Sequence, residues 1–349
     1  MNSVIVVGAG LAGLQAARTL QNAGVAVTVL DSADRVGGRV TTDSIDGFLC
    51  DRGFQVINPS YPEVRSSKIL ESLDFKSISP NLRILDGAKE SVVGLSHSLP
   101  LIFTLPKNRS ALINEFFTGV FLANPDLIST SVKRSIMKSF ILGRPGIPAH
   151  GVREFSEALA AGLSDIRLGH TVGRVEGNAV VGNFGRLEAD AIVVATTAKV
   201  ANKLLSLYMP HEMSSSTTWY HATSDELYAP EFLAIPRNSA IVNSVVISHV
   251  SKSYAPEGMK LVATTTLQNM PEERIKQELA LMWGSTRWDL VNRYEISDSL
   301  PFMSKDSARP IIRASESVVL AGDYLQLPSQ QGALLSGRLA AKELIQSKR

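Results

Sequence analysis

The sequence predicts an α/β fold built around a parallel sheet and divided into two parts. Three observations predict it. Near the start, the β-branched run Val4 to Val7 meets Gly8, Gly10 and Gly13 and passes into a helix rich in small residues. A second short strand, Val25 to Leu30, follows and delivers an acid, Asp31. Near the other end, Val318 to Ala321 is another apolar run, followed by Gly322-Asp323 and a second small-residue helix. The 349 residues exceed what one core usually organises, hence the expectation of two domains.

Composition narrows the classes. Hydrophobic residues make up 44% and charged residues 19%, a globular balance. The net charge of +2 offers no footprint for nucleic acid. A lone cysteine, Cys50, excludes an intrachain disulfide and a cysteine cluster, and no two of the six histidines share a metal-binding helical spacing. No metal is therefore expected. The first apolar run is short and lacks a basic flank, so a secretory leader is not expected. No run of about 18 apolar residues suggests a transmembrane segment. A cytoplasmic location is the expectation. Ser98 to Pro106 is apolar but broken by prolines, and reads as a buried strand or pocket wall in preference to a membrane contact.

The opening elements have a mechanical logic. Val4 to Val7 suits a strand buried on both faces. Gly8 permits a tight turn, Gly10 lets a pyrophosphate approach the backbone, and Gly13 lets the helix pack closely on the strand. Ala12, Ala16 and Ala17 keep that helix slim, and Gly24 marks its end. Asp31 lies 23 residues after Gly8, at the carboxyl end of the second strand, where an acid accepts hydrogen bonds from a ribose. The candidate dinucleotide contacts are Gly8, Ala9, Gly10, Leu11, Ala12 and Gly13 on the turn, and Asp31 with Ser32 beyond it. This unit alone does not choose between NAD and FAD. The next residues bear on the choice: Arg35, Gly37, Gly38 and Arg39 pair two glycines with two arginines, the chemistry of a second phosphate cradle.

The segments Asp46-Gly47 and Asp51-Arg52-Gly53-Phe54-Gln55, following that arginine–glycine turn, resemble the flavoprotein superfamily of amine oxidases, protoporphyrinogen oxidases and phytoene desaturases. The C-terminal stretch Ser317 to Leu344 carries the second half of the resemblance. There the family's aspartate, here Asp323 after Gly322, binds the ribityl and pyrophosphate region of FAD. The following helix, beginning near Gln331 with Gly332 and Ala333, is implied to aim its N-terminus at the flavin pyrimidine edge. A reduced flavin carries negative charge there, which a helix N-terminus stabilises. A looser middle match places Val172 on the strand that passes the adenine, and Asp190 to Ala195 on a strand re-entering the dinucleotide fold. Asp31 stands where the family more often has glutamate.

The resemblance implies a Rossmann-like FAD-binding domain, discontinuous in sequence, with an inserted α+β substrate domain. The expected boundaries are 1–60, 145–215 and 300–349 for the first, and 61–144 with 216–299 for the second. Within the second, Asn108 to Gly143 reads as two helices split near Asn124-Pro125. Phe116, Phe117 and Phe121 read as core, with a lipid-like substrate entrance or a peripheral membrane patch as the alternatives. Ser239 to Val250 and Lys260 to Leu267 read as neighbouring strands flooring the pocket. Trp219 and Tyr220 read as packing residues ahead of pocket walls.

The implied activity is an FAD-dependent oxidation of a C–H bond in a hydrophobic or amine-bearing small molecule, with an apolar substrate favoured. FAD is expected to be non-covalent, since no cysteine or histidine matches a covalent attachment point. A second glycine fingerprint is missing, so electrons are expected to leave to oxygen or a quinone-like acceptor. No catalytic acid or base is assigned, because hydride transfer to a flavin requires none. Lys260 occupies a strand where some relatives carry a lysine near the flavin, and it is given no role. Two other readings stay open at this point: an NAD(P)-linked dehydrogenase using the N-terminal site alone, and a flavin-binding protein without turnover.

Overall fold

The structure, a computed structural model, describes residues 1–79, 81–87, 89–94, 110–228, 231–302 and 312–347. Five parallel strands form its first sheet, in the order Val318–Leu320, Ala191–Val194, Ser3–Val7, Ala26–Leu30 and Ile166–Arg167. Segments from the start, middle and end of the chain thus lie side by side. The β-branched runs are buried on both faces, as their lack of alternation requires. Val4, Val6, Ala191, Val193 and Val319 face a layer formed by the Leu11–Asn22 and Gln330–Gln346 helices. Ile5, Val7, Ile192, Val194, Val318 and Leu320 face the other way, toward the Ala198–Leu205 helix and an antiparallel meander. That meander comprises Val172–Glu176, Ala179–Gly182 and Gly185–Glu188.

The two small-residue helices touch backbone to backbone. A Cβ added at Gly337 would lie 2.0 Å from the Ala12 carbonyl oxygen, so this crossing tolerates only glycine. The alanines of the first helix and Ala340 and Ala341 of the last are fully buried around it. This contact joins the two ends of the sequence.

The second sheet has seven strands, in the order Asp289–Pro301, Met213–Thr223, Lys260–Thr266, Ile241–Val246, Leu233–Pro236, Asn81–Asp86 and Lys89–Gly94. Its pairs are antiparallel except Leu233–Pro236 against Asn81–Asp86. The expected neighbours 241–246 and 260–266 pair directly. One face of the sheet supplies Tyr220, Ala222, Leu261, Ala263 and Val245 to the same core as Cys50, Ile57 and Val152. The opposite face is covered by the Glu272–Trp283 helix, which packs Ile275, Leu279 and Trp283 on Trp219 and Val262.

Two helices, Ser110–Phe121 and Thr130–Gly143, cover one end of the sheet, separated by the turn Pro125–Leu127. Asn124 caps that turn by accepting the Asp126 N–H, which is why the chain breaks there. Phe116, Phe117 and Phe121 are buried against one another and against Leu82 and Ile84. They are core residues in this structure. The stretch 98–106 lies outside the described residues. Among the described residues no helix is long and apolar enough to cross a membrane.

Candidate cofactor and substrate site

The glycine turn lies where the first strand runs into the first helix. Gly13 is dictated by the protein itself: a Cβ there would sit 1.8 Å from the Gly8 carbonyl oxygen. Gly10 differs. A Cβ there would meet nothing within 4 Å, so the residue borders open space. The helix Leu11–Asn22 has Gly10 as its N-cap, no side-chain cap and no acid in its first turn. Its first N–H groups therefore lack intrahelical acceptors and are available to an anion at that opening.

Asp31 holds the turn from the neighbouring strand. Its Oδ2 accepts the Ala9 N–H at 2.6 Å and its Oδ1 accepts the Ala33 N–H at 2.8 Å. Each oxygen keeps a second acceptor site for a hydroxyl. Ser32 beside it is exposed. The second glycine pair leans on the first: Gly37 N–H donates to the Ala9 carbonyl at 2.8 Å, and Gly38 lies against Gly10.

The two arginines of that turn have separate partners. Arg35 donates to Asp43 at 2.7 Å, and Asp43 also receives Arg52 at 2.8 Å and the Tyr294 hydroxyl at 2.6 Å. Burial alone would raise the Asp43 carboxyl, but the hydrogen bonds from Arg52, Tyr294 and Arg35 overcome it and bring it down to about 2. Arg39 reaches the far end of the chain. It pairs with Asp323 at 2.7 Å and donates to the Ser299 carbonyl of the seven-stranded sheet at 3.1 Å. Gln55 Nε2 donates to the Arg39 carbonyl at 2.7 Å, and Gln330 Nε2 donates to Gln55 Oε1 at 3.3 Å. Residues 39, 55, 299, 323 and 330 are thereby linked around one region.

The C-terminal helix begins under its own cap. Ser329 Oγ accepts the Gly332 N–H at 3.0 Å, and Ala333 N–H donates to the Ser329 carbonyl. Gly332 has a reason the sequence did not disclose. A Cβ there would lie 1.9 Å from the Leu327 carbonyl oxygen, so the residue is small to suit its own loop. The Gln331 side chain accepts the Glu63 N–H at 2.9 Å and is held by that contact. Val172 is partly buried against the face of the parallel sheet opposite the two helices.

Asp51 forms a junction that sequence reading did not assign. It is fully buried. Its carboxylate accepts the Thr42 hydroxyl at 2.6 Å, the Val152 N–H at 3.1 Å and the Tyr254 hydroxyl at 2.9 Å. Its backbone carbonyl accepts the Tyr220 hydroxyl at 3.0 Å. Burial pushes the carboxyl up to about 6, against the lowering effect of these hydrogen bonds. Two residues on, Gly53 faces Ile296, and the Phe54 N–H lies 3.4 Å from the Thr218 hydroxyl. Tyr220 thus anchors the sheet to Asp51, while Trp219 points to the opposite face, its ring under Arg293 at 4.4 Å. Lys260 opens its strand and pairs with the exposed Glu226 at 3.4 Å. It alternates with Leu261 and Ala263, and so lies on the sheet face turned away from the glycine turns.

The residues present fit a dinucleotide. Gly10 borders a space that a Cβ would enter, with uncapped N–H donors beside it. Two buried polar atoms of the C-terminal segment, Tyr324 Oη and Gln330 Oε1, have no protein partner. Among the described residues, no cluster of three His, Cys, Asp or Glu side chains is arranged to hold a metal ion.

The family model described as flavin-containing amine oxidoreductase matches residues 11–77 and 102–345. Polyamine oxidase 2 of Arabidopsis thaliana is 28% identical over 249 residues, covering 55% of this chain and 50% of that protein. Lysine-specific histone demethylase 2 of Homo sapiens is 56% identical over 57 residues, 16% of this chain and 7% of that protein. The chain therefore spans at most about half the length of these relatives. Among solved structures, an oxidoreductase from Methanosarcina mazei superposes with a TM-score of 0.77 at 16% identity, covering 98% of this chain and 100% of that one.

Proposed function

The chain belongs to the flavin-containing amine oxidoreductase family, with FAD as its cofactor, and on that premise we propose that it is an oxidoreductase that removes a hydride from a C–H bond of an amine-bearing or otherwise hydrophobic small molecule. Bound FAD supplies the hydride acceptor, and the protein supplies position and electrostatics. The first-turn N–H groups beside Gly10 hold the pyrophosphate, with Gly38 and Arg39 across from them. Asp31 accepts from the ribose of the adenosine half. The N-terminus of the Gln330–Gln346 helix stabilises negative charge on the reduced ring. Residues 1–60, 145–215 and 300–349 act as the cofactor domain in this reading, and 61–144 with 216–299 as the substrate domain. Oxygen or a quinone-like molecule takes the electrons.

The observation that carries this reading is the Arg39–Asp323 pair, which joins the glycine turns to the C-terminal segment across 284 residues of sequence. A dehydrogenase that needed only the N-terminal turn would have no use for that closure. The test is direct. Purified protein is denatured and the supernatant analysed for free flavin, and the intact protein is then mixed anaerobically with amine, polyene and porphyrinogen panels and with NADPH. Released FAD together with saturable bleaching of the flavin band by one organic panel is expected. Protein that gains no flavin on reconstitution, or that is bleached rapidly by NADPH alone, overturns the reading.

A further inference from the structure

The face of the seven-stranded sheet that carries Tyr220, Ala222, Leu261, Ala263 and Val245 into the common core continues toward Phe54. Side chains alternate along a strand, so Thr218, Thr265 and Asn243 share that face. The register sets them in one row: Thr218 is opposite Thr265, and Thr265 is opposite Asn243. Thr218 is fully buried, Thr265 is 4% exposed and Asn243 is 7% exposed. Thr218 is the member that meets the Phe54 N–H.

The other two have no such partner. Thr265 Oγ1 and Asn243 Oδ1 are enclosed and make no hydrogen bond. On the opposite face of the same strands the hydroxyls are paired, while the enclosed ring nitrogens of His221 are not. There Ser244 and Thr264 bond at 2.9 Å, Trp283 donates to Ser244 at 3.1 Å, and Trp219 donates to Thr266 at 3.3 Å. Hydroxyls on the side away from the cofactor turns are thus satisfied within the sheet, while two adjacent groups on the near side are not. Buried polar oxygens without partners destabilise a fold, and their pairing here calls for an outside donor.

We propose that Thr265 and Asn243 are the polar floor of the substrate pocket, and that the substrate presents to them a neutral amine N–H or a hydroxyl O–H on an otherwise apolar body. This deepens the oxidoreductase reading and rests on it for the position of the pocket. The row carries no charge, so it suits a neutral donor over an ammonium, whose desolvation it could not offset. A plain hydrocarbon leaves both oxygens unpaired and is selected against.

The test uses FAD-loaded protein and follows the shift of the flavin absorption band on titration with 1-hexanol and the donor-free hexyl methyl ether. Hexanol is expected to bind about tenfold or more tightly than the ether. Thr265→Val and Asn243→Leu are expected to bring that ratio within about twofold, while Thr265→Ser retains it. Thr265→Val is isosteric and removes an unpartnered hydroxyl, so its unliganded melting temperature is expected to equal or exceed that of the parent. Equal binding of ether and hexanol by the flavin-loaded parent overturns the polar floor. So does an unchanged ratio in both variants, or a marked fall in the stability of Thr265→Val. A parent protein that takes up no flavin overturns the oxidoreductase reading instead.

Discussion

The glycine turns and the seven-stranded sheet meet through the Arg39–Ser299 and Phe54–Thr218 contacts, but they are built from different material. On the turn side the contacts are backbone to backbone: Gly37 N–H to the Ala9 carbonyl, Gly13 against the Gly8 carbonyl, Gly337 against Ala12. On the sheet side the neighbours are set by strand register, as in the row Thr218, Thr265 and Asn243. Backbone contacts demand a residue type at a fixed spacing. Cross-strand contacts demand only that two distant positions share a register, and many side chains satisfy that. In the proposed reading the turn side holds the cofactor, while the sheet side is free to vary with the substrate.

The largest test of this contrast separates two glycines three residues apart. Gly13→Ala places a Cβ 1.8 Å from a backbone oxygen, and overpacking of that kind costs about 3 kcal/mol of stability. The unliganded protein should melt several degrees lower. Gly10→Val meets no protein atom at its Cβ, so the unliganded protein should keep its melting temperature while FAD titration shows binding lost. If both variants lower the melting temperature equally, Gly10 is a folding glycine like Gly13 and the cofactor space lies elsewhere.

Two aspartates on one hairpin sharpen the comparison through their pH response. The Asp51 carboxyl has a folded pKa of about 6, above the ordinary aspartate value of 3.8, because burial disfavours its charge. A raised carboxyl pKa means the folded state binds the proton more tightly. The charge therefore costs stability above pH 6, and that cost disappears as pH falls from 6 to 3.8, an effect of up to about 3 kcal/mol for a fully buried group. Asp43 has the opposite sign. Its hydrogen bonds to Arg52, Tyr294 and Arg35 outweigh burial and give a folded pKa of about 2. Its contribution is present above 3.8 and is lost as pH falls toward 2. Denaturant midpoints at pH 7, 5 and 3 should show that Asp51→Asn removes the gain between pH 7 and 5, and that Asp43→Asn removes the loss below pH 4. An unchanged pH 7 to 5 slope in Asp51→Asn would assign that slope to other groups.

Arg39 comes next in size. Asp323 is only 5% exposed, and Arg39→Ala leaves its carboxylate without a counter-charge. The loss should be about 1–3 kcal/mol, read as about a five- to 150-fold weaker FAD affinity. Arg39→Lys should recover only part of it, because a single ammonium cannot copy the fork that spans Asp323 and the Ser299 carbonyl. Full recovery by lysine would mean that charge alone, without the fork, closes the two ends of the chain.

How much of this could be read from sequence follows the same division. The Val4 to Val7 strand, the glycine spacing, Asp31 at a strand end and the Gly322-Asp323 turn before a small-residue helix were all legible, because each is a short-range rule about backbone room. The strand Ile166–Arg167 was not, since two residues carry no periodicity. Asp43 was passed over because its partners Arg35, Arg52 and Tyr294 are scattered over 259 residues of sequence. Asp51 was quoted for its neighbours Arg52 and Gly53, and its own junction with Thr42, Val152 and Tyr254 exists only after folding. Gly332 was noticed for room toward a ligand, whereas its closest constraint is the Leu327 carbonyl. The Thr265–Asn243 row depends on register, which a bulge between Ile241 and Asn243 shifts by one residue. No inspection of hydrophobic alternation would find that bulge.

The smallest predicted effect is also the sharpest test of which sheet face does the chemistry. Lys260 attracts attention as a cation at the start of a central strand. Its strand partner is Thr223, at the far end of the Met213–Thr223 strand from Ser216. It alternates with Leu261, which packs into the core on the near face, so the Lys260 side chain leaves on the opposite one. There its ammonium pairs with Glu226, whose side chain is 90% exposed, an ion pair worth about 0–1 kcal/mol. Lys260→Met should therefore leave FAD affinity unchanged and move kcat/KM toward any substrate by less than about twofold. Thr265→Val, five residues along the same strand but on the near face, should change substrate discrimination about tenfold without touching FAD affinity. A Lys260→Met variant that loses most of its turnover while Thr265→Val keeps its discrimination would reverse the two faces, and with them the assignment of the substrate side of the sheet.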